Sequence, residues 1–393
     1  MNSYRRIPAD PRAWFSDDEI ARAATYRRPL RRVALTESLL GLTLLVVAVA
    51  THVAGGLLRV LGHASWPVQV AGVVSAIVVA GTLLGLPFGA WRLGYERRWG
   101  FARQTAAGWA ADHVKELAVS LVLSNAAALG FFGLVRATRD WWIFAWAAAA
   151  SLSVVLVAVA PAVLAPLFNA FRPLEDPWLS ESAIELGRRV GVRIGRVLVM
   201  DASRRTAKHN AYFTGLGRTK RVVLWDTLLA DYEPAATLAV LAHELGHWRR
   251  RHVQRMLAMS AAVMLPGFYV LHLLLDSAHV RSWAGIHGAA DPAAIPFALL
   301  AVSVMQALWS PVALWFSRAW ERQADLDALA LSGDMGTAIG QDASDVFLRM
   351  QRDLAVGNLS DLTPSRWAYL LASHPPAAER MALAAAISSP MRP

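Results

Sequence analysis

The apolar residues of this chain gather in long blocks separated by short polar connections. They neither alternate, as in half-buried strands, nor recur as the narrow stripe of a soluble amphipathic helix. Ala34 to Gly55, Trp66 to Trp91, Leu117 to Val135, Trp142 to Leu164, about Met256 to Leu275 and about Ile295 to Phe316 each approach or exceed the ~20 residues that carry a helix across a bilayer. The pattern predicts a mainly α fold, a polytopic membrane helical bundle of about six spans. Residues 1–32 are polar and Arg-rich, with no early apolar core ahead of a small-residue cleavage site, so the first span is expected to stay in the protein. Within them Ser16, with Glu19 three residues on, reads as a capped helix start in an amphipathic lead-in along the membrane surface.

Pro161, Pro166 and Pro173 end the helical pattern after the fourth span, and a polar stretch follows from about Leu174 to Arg255. Ser180 to Val190 has helical spacing, whereas Arg196 to Met200 and Arg221 to Trp225 read as buried strands. Asn210 to Thr214 reads as a third strand, closed by Gly215 and Gly217, and Pro234 to Arg250 as a helix leading into span five. The expected organisation is a lead-in at 1–32, spans one to four at 33–165, a small α+β sheet-helix unit at 166–254, spans five and six at 255–318, and a helical segment at 319–393.

Lys plus Arg number 39 against 29 Asp plus Glu, a net charge of +10 that in a soluble domain would raise the question of nucleic acid. The positions of the charges answer otherwise. Arg5, Arg6, Arg12, Arg22, Arg27, Arg28, Arg31 and Arg32 precede span one, Arg92, Arg97, Arg98, Arg103 and Lys115 lie between spans two and three, and the intervening loops carry little. By the positive-inside rule both termini and the 166–254 unit face the cytoplasm, in a multi-pass protein of the cell membrane with lipid as a partner and no nucleic acid. Trp66, Trp141, Trp142 and Trp283 flank spans as interfacial anchors do. The chain has no Cys, so it forms no disulfide and any metal site must use His and carboxylates.

The predicted helix at 234–250 contains His243-Glu244-Leu245-Gly246-His247. Residues four apart share a helix face, so His243 and His247 can offer two imidazole nitrogens to one zinc ion, with Glu244 beside them to take a proton from water. A catalytic zinc needs a third protein ligand and an open position, and Glu321 in Glu321-Arg322-Gln323-Ala324-Asp325 supplies it, with one zinc expected per chain. Asp325, one turn later, is placed to hold the far nitrogen of a zinc-binding His. His272 lies on an apolar span and reads as a packed or cavity-lining residue; His209 and His252 read as surface residues or supports of the site.

These residues resemble the type 1 CAAX prenyl endopeptidases, integral-membrane zinc metalloproteases related to the bacterial HtpX heat-shock protease. The resemblance runs from about Glu96 to Arg380. It rests on Glu96 with Gly100-Phe101-x-x-Gln104-Thr105, Pro166-Leu167-Phe168-Asn169-x-Phe171-x-Pro173-Leu174, Asn210-Ala211-Tyr212-Phe213, Val223 to Leu229, His243 to Trp248, Glu321-x-Gln323-Ala324-Asp325 and Ser373-His374-Pro375-Pro376-x-x-Glu379-Arg380. It implies a gluzincin-like zinc metalloendopeptidase, with zinc on His243, His247 and Glu321, Glu244 as base and Asp325 supporting. It further implies that Asn210, His374 and Arg380 are active-site residues, Asn210 binding substrate backbone and the other two an oxyanion. Read without the resemblance, His374 is a Pro-flanked turn residue and Arg380 a solvated helix charge. The expected substrates are peptides or proteins, either damaged membrane proteins or lipid-modified peptides. Eukaryotic members have seven spans and this pattern has six, with Glu37, Asn125 and Gln306 suited either to the wall of an intramembrane chamber or to bundle-interior hydrogen bonds. A catalytically silent membrane scaffold is the rival reading, and a transporter a more remote one; Glu244→Gln separates the first, and flux by the zinc-free protein the second.

Overall fold

A computed structural model describes residues 6–214, 221–339 and 342–388, so Gly215 and Gly217 lie outside the described residues. The amino-terminal half is helical throughout: α1 (Asp17–Ala50), α2 (Val53–Leu61), α3 (Trp66–Arg98), α4 (Ala106–Ala137), α5 (Trp141–Val163) and α6 (Ala165–Phe168). Ser16 and Glu19 form a reciprocal capping box at the start of α1, and Asp17, Asp18 and Glu19 complement the helix dipole there. The lead-in and span one, read as separate in the sequence, are one continuous helix that passes through Pro29. Among the described residues six helices are long and apolar enough to cross a membrane: Asp17–Ala50, Trp66–Arg98, Ala106–Ala137, Trp141–Phe168, His252–Asp276 and Pro292–Leu331.

The polar half begins with strand β1 (Phe171–Pro173) and α7 (Pro177–Arg189), where Asp176 caps the first turn and Pro177 sits at its start. Strands β2 (Arg196–Met200), β3 (Ala211–Thr214) and β4 (Arg221–Trp225) complete a four-stranded sheet in the order β1-β2-β4-β3. Only β2 and β4 run parallel; β1 and β3 are antiparallel edges. The central strands are buried along most of their length, which is why they read as continuous apolar runs. Helices α8 (Asp226–Asp231) and α9 (Pro234–Arg249) follow, and α9 covers the sheet with Leu238, Leu241 and Leu245 against Val222 and Leu224.

Beyond α9 come α10 (His252–Asp276), α11 (Ala278–Ala284), the long α12 (Ile295–Ile339), α13 (Ala343–Gly357), α14 (Arg366–Leu370) and α15 (Ala377–Ser388). Helix α12 does not end with the apolar stretch of span six; it runs on as one rod along α9, so a single rigid element carries both a membrane span and Glu321. Two of the polar positions inside spans find partners within the bundle: the Asn125 amide nitrogen donates to Ser75 Oγ at 3.1 Å, although its Oδ1 is buried without one, and Glu37 pairs with Arg92.

The two halves are tied together by the motif residues that carry no candidate chemistry. Glu96 Oε1 accepts from the Tyr26 hydroxyl at 2.7 Å and from Lys208 Nζ at 2.7 Å, linking α1 and α3 to the loop before β3. Arg205 forks onto Asp112 and also reaches Asn169 Oδ1 at 3.1 Å. The lead-in grips the carboxyl-terminal helices: Arg6 meets Glu379 at 2.7 Å, Arg352 meets Glu19 at 2.8 Å, Arg27 Nε donates to the Leu359 carbonyl at 2.6 Å, and Arg31 pairs with Asp361. Phe15 and Ala23 are buried in one cluster with Ala355, Leu362, Ala378 and Met381. The buried face of the lead-in packs on the segment that bears His374 and Arg380.

Candidate metal centre

Helix α9 presents His243 and His247 one turn apart, and α12 crosses it at Gly246. A Cβ on Gly246 would lie 2.9 Å from the Ala324 Cα and 3.0 Å from the Ala324 carbonyl oxygen, so the glycine permits a backbone-to-backbone approach that a side chain would block. Arg250 locks the crossing by a forked pair with Asp327, at 2.6 and 2.9 Å. At this separation Glu321 reaches both histidines: its Oε2 is 3.3 Å from His243 Nε2, its Oε1 is 3.3 Å from His247 Nε2, and the two Nε2 atoms are 3.3 Å apart.

Among the described residues this is the group of His and carboxylates that could hold a metal ion. The two Nε2 atoms, 3.3 Å apart, match one edge of a tetrahedron whose centre lies about 2.0–2.1 Å from each, the bond length of imidazole to zinc, and the Glu321 carboxylate turns one oxygen toward each of them. Glu321 Oε2 is buried without a hydrogen-bond partner, an arrangement that costs free energy unless a cation takes up the lone pair. The residues therefore fit a tetrahedrally coordinated divalent metal.

Each histidine is held from behind. His243 Nδ1 lies 2.9 Å from Asp325 Oδ1, and Arg380 fixes that carboxylate through Nε at 2.8 Å and Nη2 at 2.5 Å. His247 Nδ1 lies 3.0 Å from His252 Nδ1. Considered as protein groups alone, burial and Arg380 oppose charge on His243, and its bonds to Asp325 and Glu321 outweigh them, lifting the imidazole to about 9. Burial raises Glu244 above the usual carboxylate range, against the pull of the two neighbouring histidines and the Phe213 backbone amide.

Glu244 and His243 lie on the wall of a cavity of about 700 Å³, together with Asn210, His374 and Arg380. Asn210 precedes the edge strand β3, and its Oδ1 accepts from the Ala211 amide at 2.9 Å. His374 is 59% exposed, with Nε2 3.3 Å from Glu321 Oε1. Its loop is anchored on α12: Arg318 Nη1 donates to the carbonyls of Leu370 and Ala372, and Ser317 Oγ to that of Ser373. Five of the eight residues that the sequence assigns to the site thus line one cavity, and the other three, His247, Glu321 and Asp325, lie against His243 behind its wall. His272 lies elsewhere, packed among Trp141, Trp142 and Tyr269, and His209 pairs with Asp231 at 2.7 Å. Sequence reasoning missed Gly246, Arg250 with Asp327, and Arg318. The available signal was their spacing from the metal-ligating residues: Gly246 lies inside the motif, and Arg318 one turn before Glu321.

Residues 173–388 match the model of peptidase family M48, and residues 1–170 the model described as the CAAX prenyl protease N-terminal region with five membrane helices. Four candidate spans fall in those first 170 residues. The uncharacterized metalloprotease YhfN of Bacillus subtilis (strain 168) is 32% identical over 319 residues, which cover 80% of this chain and 72% of that protein. CAAX prenyl protease 1 of Saccharomyces cerevisiae is 34% identical over 169 residues, 42% of this chain and 37% of the yeast protein. The fold matches the crystal structure of S. mikatae Ste24p with a TM-score of 0.83 at 23% identity, over 98% of this chain and 94% of that one. The chain belongs to peptidase family M48 and is a multi-pass integral-membrane metalloprotease.

Proposed function

We propose that the protein is a zinc endopeptidase that cleaves peptide bonds at the cytoplasmic face of the cell membrane, and that one zinc per chain is held by His243, His247 and Glu321. The observation that carries this reading is the convergence of the His243 and His247 Nε2 atoms, 3.3 Å apart, with the Glu321 carboxylate, one oxygen of which lies 3.3 Å from each, beside Glu244 on the cavity wall. When bound, zinc supplies Lewis-acid polarisation of the scissile carbonyl and lowers the pKa of water. Glu244 accepts the water proton and returns it to the leaving amine; a carboxylate whose pKa is lifted by burial is better matched to that shuttle than an ordinary one. His374, exposed on the cavity wall, donates to the oxyanion of the tetrahedral intermediate, and Arg380 adds positive charge while holding Asp325. Asp325 keeps His243 in the tautomer that leaves Nε2 bare.

Strand β3 is an edge, so an extended substrate can add beside it with Asn210 at its start, main chain to main chain. The arginine distribution supports cytoplasmic placement of both termini and of the 166–254 and 319–393 segments. The substrate class we favour is membrane protein, damaged or lipid-modified, because α12 carries Glu321 on the same rod as a span and so fixes the site next to the bilayer.

The test is metal content and cleavage of a quenched peptide by the detergent-solubilised protein, beside Glu244→Gln and Glu321→Ala. Zinc near one per chain in wild type and Glu244→Gln, reduced in Glu321→Ala, with cleavage lost in both variants, is the expected result. Cleavage that survives Glu244→Gln would sink the mechanism, and full zinc with no cleavage of any peptide would favour a scaffold.

A further inference from the structure

The two histidines of the metal centre are backed by different chemistry. Behind His243 stands a carboxylate; behind His247 stands another imidazole. His252 is 3% exposed, its Nδ1 is 3.0 Å from His247 Nδ1, and its Nε2 is 3.1 Å from Gln323 Oε1. The backbone conformation that allows this is unusual. Arg251 sits in the left-handed region at φ +54, a strained setting for a side-chain-bearing residue, and it separates α9 from α10. In an unbroken helix a residue five positions on would project about 140° away from His247. The turn at Arg251 brings it back. The ring is then clamped by Trp320, stacked at 5.4 Å and 11°, three residues before Gln323 and so on the same face of α12.

Hydrogen-bond direction settles the rest. An amide oxygen only accepts, so His252 carries its proton on Nε2 and donates it to Gln323 Oε1. Its Nδ1 is left with a lone pair, and that lone pair faces His247 Nδ1. His247 therefore carries its own proton on Nδ1 and presents a bare Nε2 to the site. Building on the metal-binding reading above, we propose that His252 and Gln323 are positioning residues: a neutral two-step relay that fixes His247 in its metal-binding tautomer and ring orientation. The pair does for His247 what Asp325 and Arg380 do for His243, without adding another buried carboxylate to the site.

The experiment measures zinc affinity of the full-length protein by competition with a chromophoric chelator, and reads the Co²⁺ ligand-field spectrum of the cobalt-loaded protein. Gln323→Met keeps size and removes the acceptor; His252→Phe keeps the stack on Trp320 and removes both nitrogens. Each is expected to weaken zinc about 10–100-fold and shift the Co²⁺ bands, as loss of a histidine's outer partner does. Gln323→Glu restores an acceptor and is expected to return affinity to within about threefold of wild type. Wild-type affinity in both Gln323→Met and His252→Phe overturns the relay, as does equal loss in Gln323→Met and Gln323→Glu, which would mark a packing effect. ¹⁵N-histidine NMR of the zinc-loaded wild type needs no variant: His252 protonated on Nε2 supports the relay, and protonation on Nδ1 refutes it. A wild type that binds no zinc would instead overturn the metal site itself.

Discussion

The span bundle and the catalytic unit use the same apolar residue types and turn them in opposite directions. In the bundle Leu35, Leu83, Val122 and Leu308 stand 60–75% exposed, and at most 17% of the apolar stretch of any span is buried against the rest of the chain. In the catalytic unit Leu224, Leu228, Leu241 and Leu245 are fully buried around one sheet. The difference shows which medium each half folds against: lipid replaces a protein core in the first, and the hydrophobic effect builds one in the second. Polar groups follow suit. Within the spans they occur as isolated bonds such as Asn125 to Ser75, whereas around the metal centre Arg380, Asp325, His243, Glu321, His247, His252 and Gln323 touch in that order. A perturbation should therefore spread in the catalytic unit and stay local in the bundle.

The largest test of that contrast is Glu244→Gln, expected to lower turnover ~10²–10⁴-fold while zinc remains bound, measured as kcat on a quenched peptide. Asp325→Ala comes next, with zinc affinity or activity expected to fall about 10–100-fold while the spans remain folded by circular dichroism. Unchanged zinc retention would remove Asp325 from the site. The same pair sets a pH dependence. His243 is raised from 6.5 to about 9, so without metal its charged form stabilises the protein fully below about pH 6.5, and that contribution is lost as pH rises through 9. Metal needs the neutral imidazole, so binding near pH 7.5 should expel about one proton, and apparent affinity should climb about tenfold per pH unit until about 9. Titration calorimetry in two buffers of different ionisation enthalpy reads that proton, and a release near zero would contradict it.

Gly246→Ala probes packing rather than chemistry. Its Cβ would meet the Ala324 backbone at 2.9 Å, which cannot rotate aside, so α9 and α12 must part at an expected cost of about 1–3 kcal/mol. Activity should fall further than stability because Glu321 moves with α12. Thermal unfolding and zinc content measured together would show this.

The elements legible in the sequence were those whose environment is uniform along their length. Strands β2 and β4 were read with their observed bounds because central strands show an unbroken apolar run. Helix α9 and the shared face of His243 and His247 follow from a four-residue spacing that only a helix makes useful. Strand β1 escaped notice because it spans three residues and ends at Pro173, and the continuity of α1 because Pro29 and the arginines around it resemble a boundary. His252 reads in the sequence as a surface residue or a support of the site, and the sequence does not say which residue it touches. What brings it to His247 is one left-handed residue at Arg251, a conformation for which an arginine gives no local signal. Arg318 likewise reads as a charge at the end of a span until the loop carrying His374 folds back onto it.

Asn125→Leu is the smallest effect expected, and it tests the other side of the contrast. Asn125 donates to Ser75 Oγ at 3.1 Å and to its own helix at Leu121 O at 2.8 Å, so α3 and α4 share one polar bond here within an apolar seam. Hydrogen bonds between membrane helices average about 0.6 kcal/mol, because a separated helix in lipid finds other partners for the same groups. Leucine also removes the orphaned Asn125 Oδ1, which is buried without a partner. The two changes nearly cancel, so the midpoint of unfolding in detergent should move little and peptide cleavage should be unchanged. A loss of cleavage of tenfold or more, with zinc retained, would mean that the span bundle transmits strain to the metal centre through α12, and that the two halves are mechanically one.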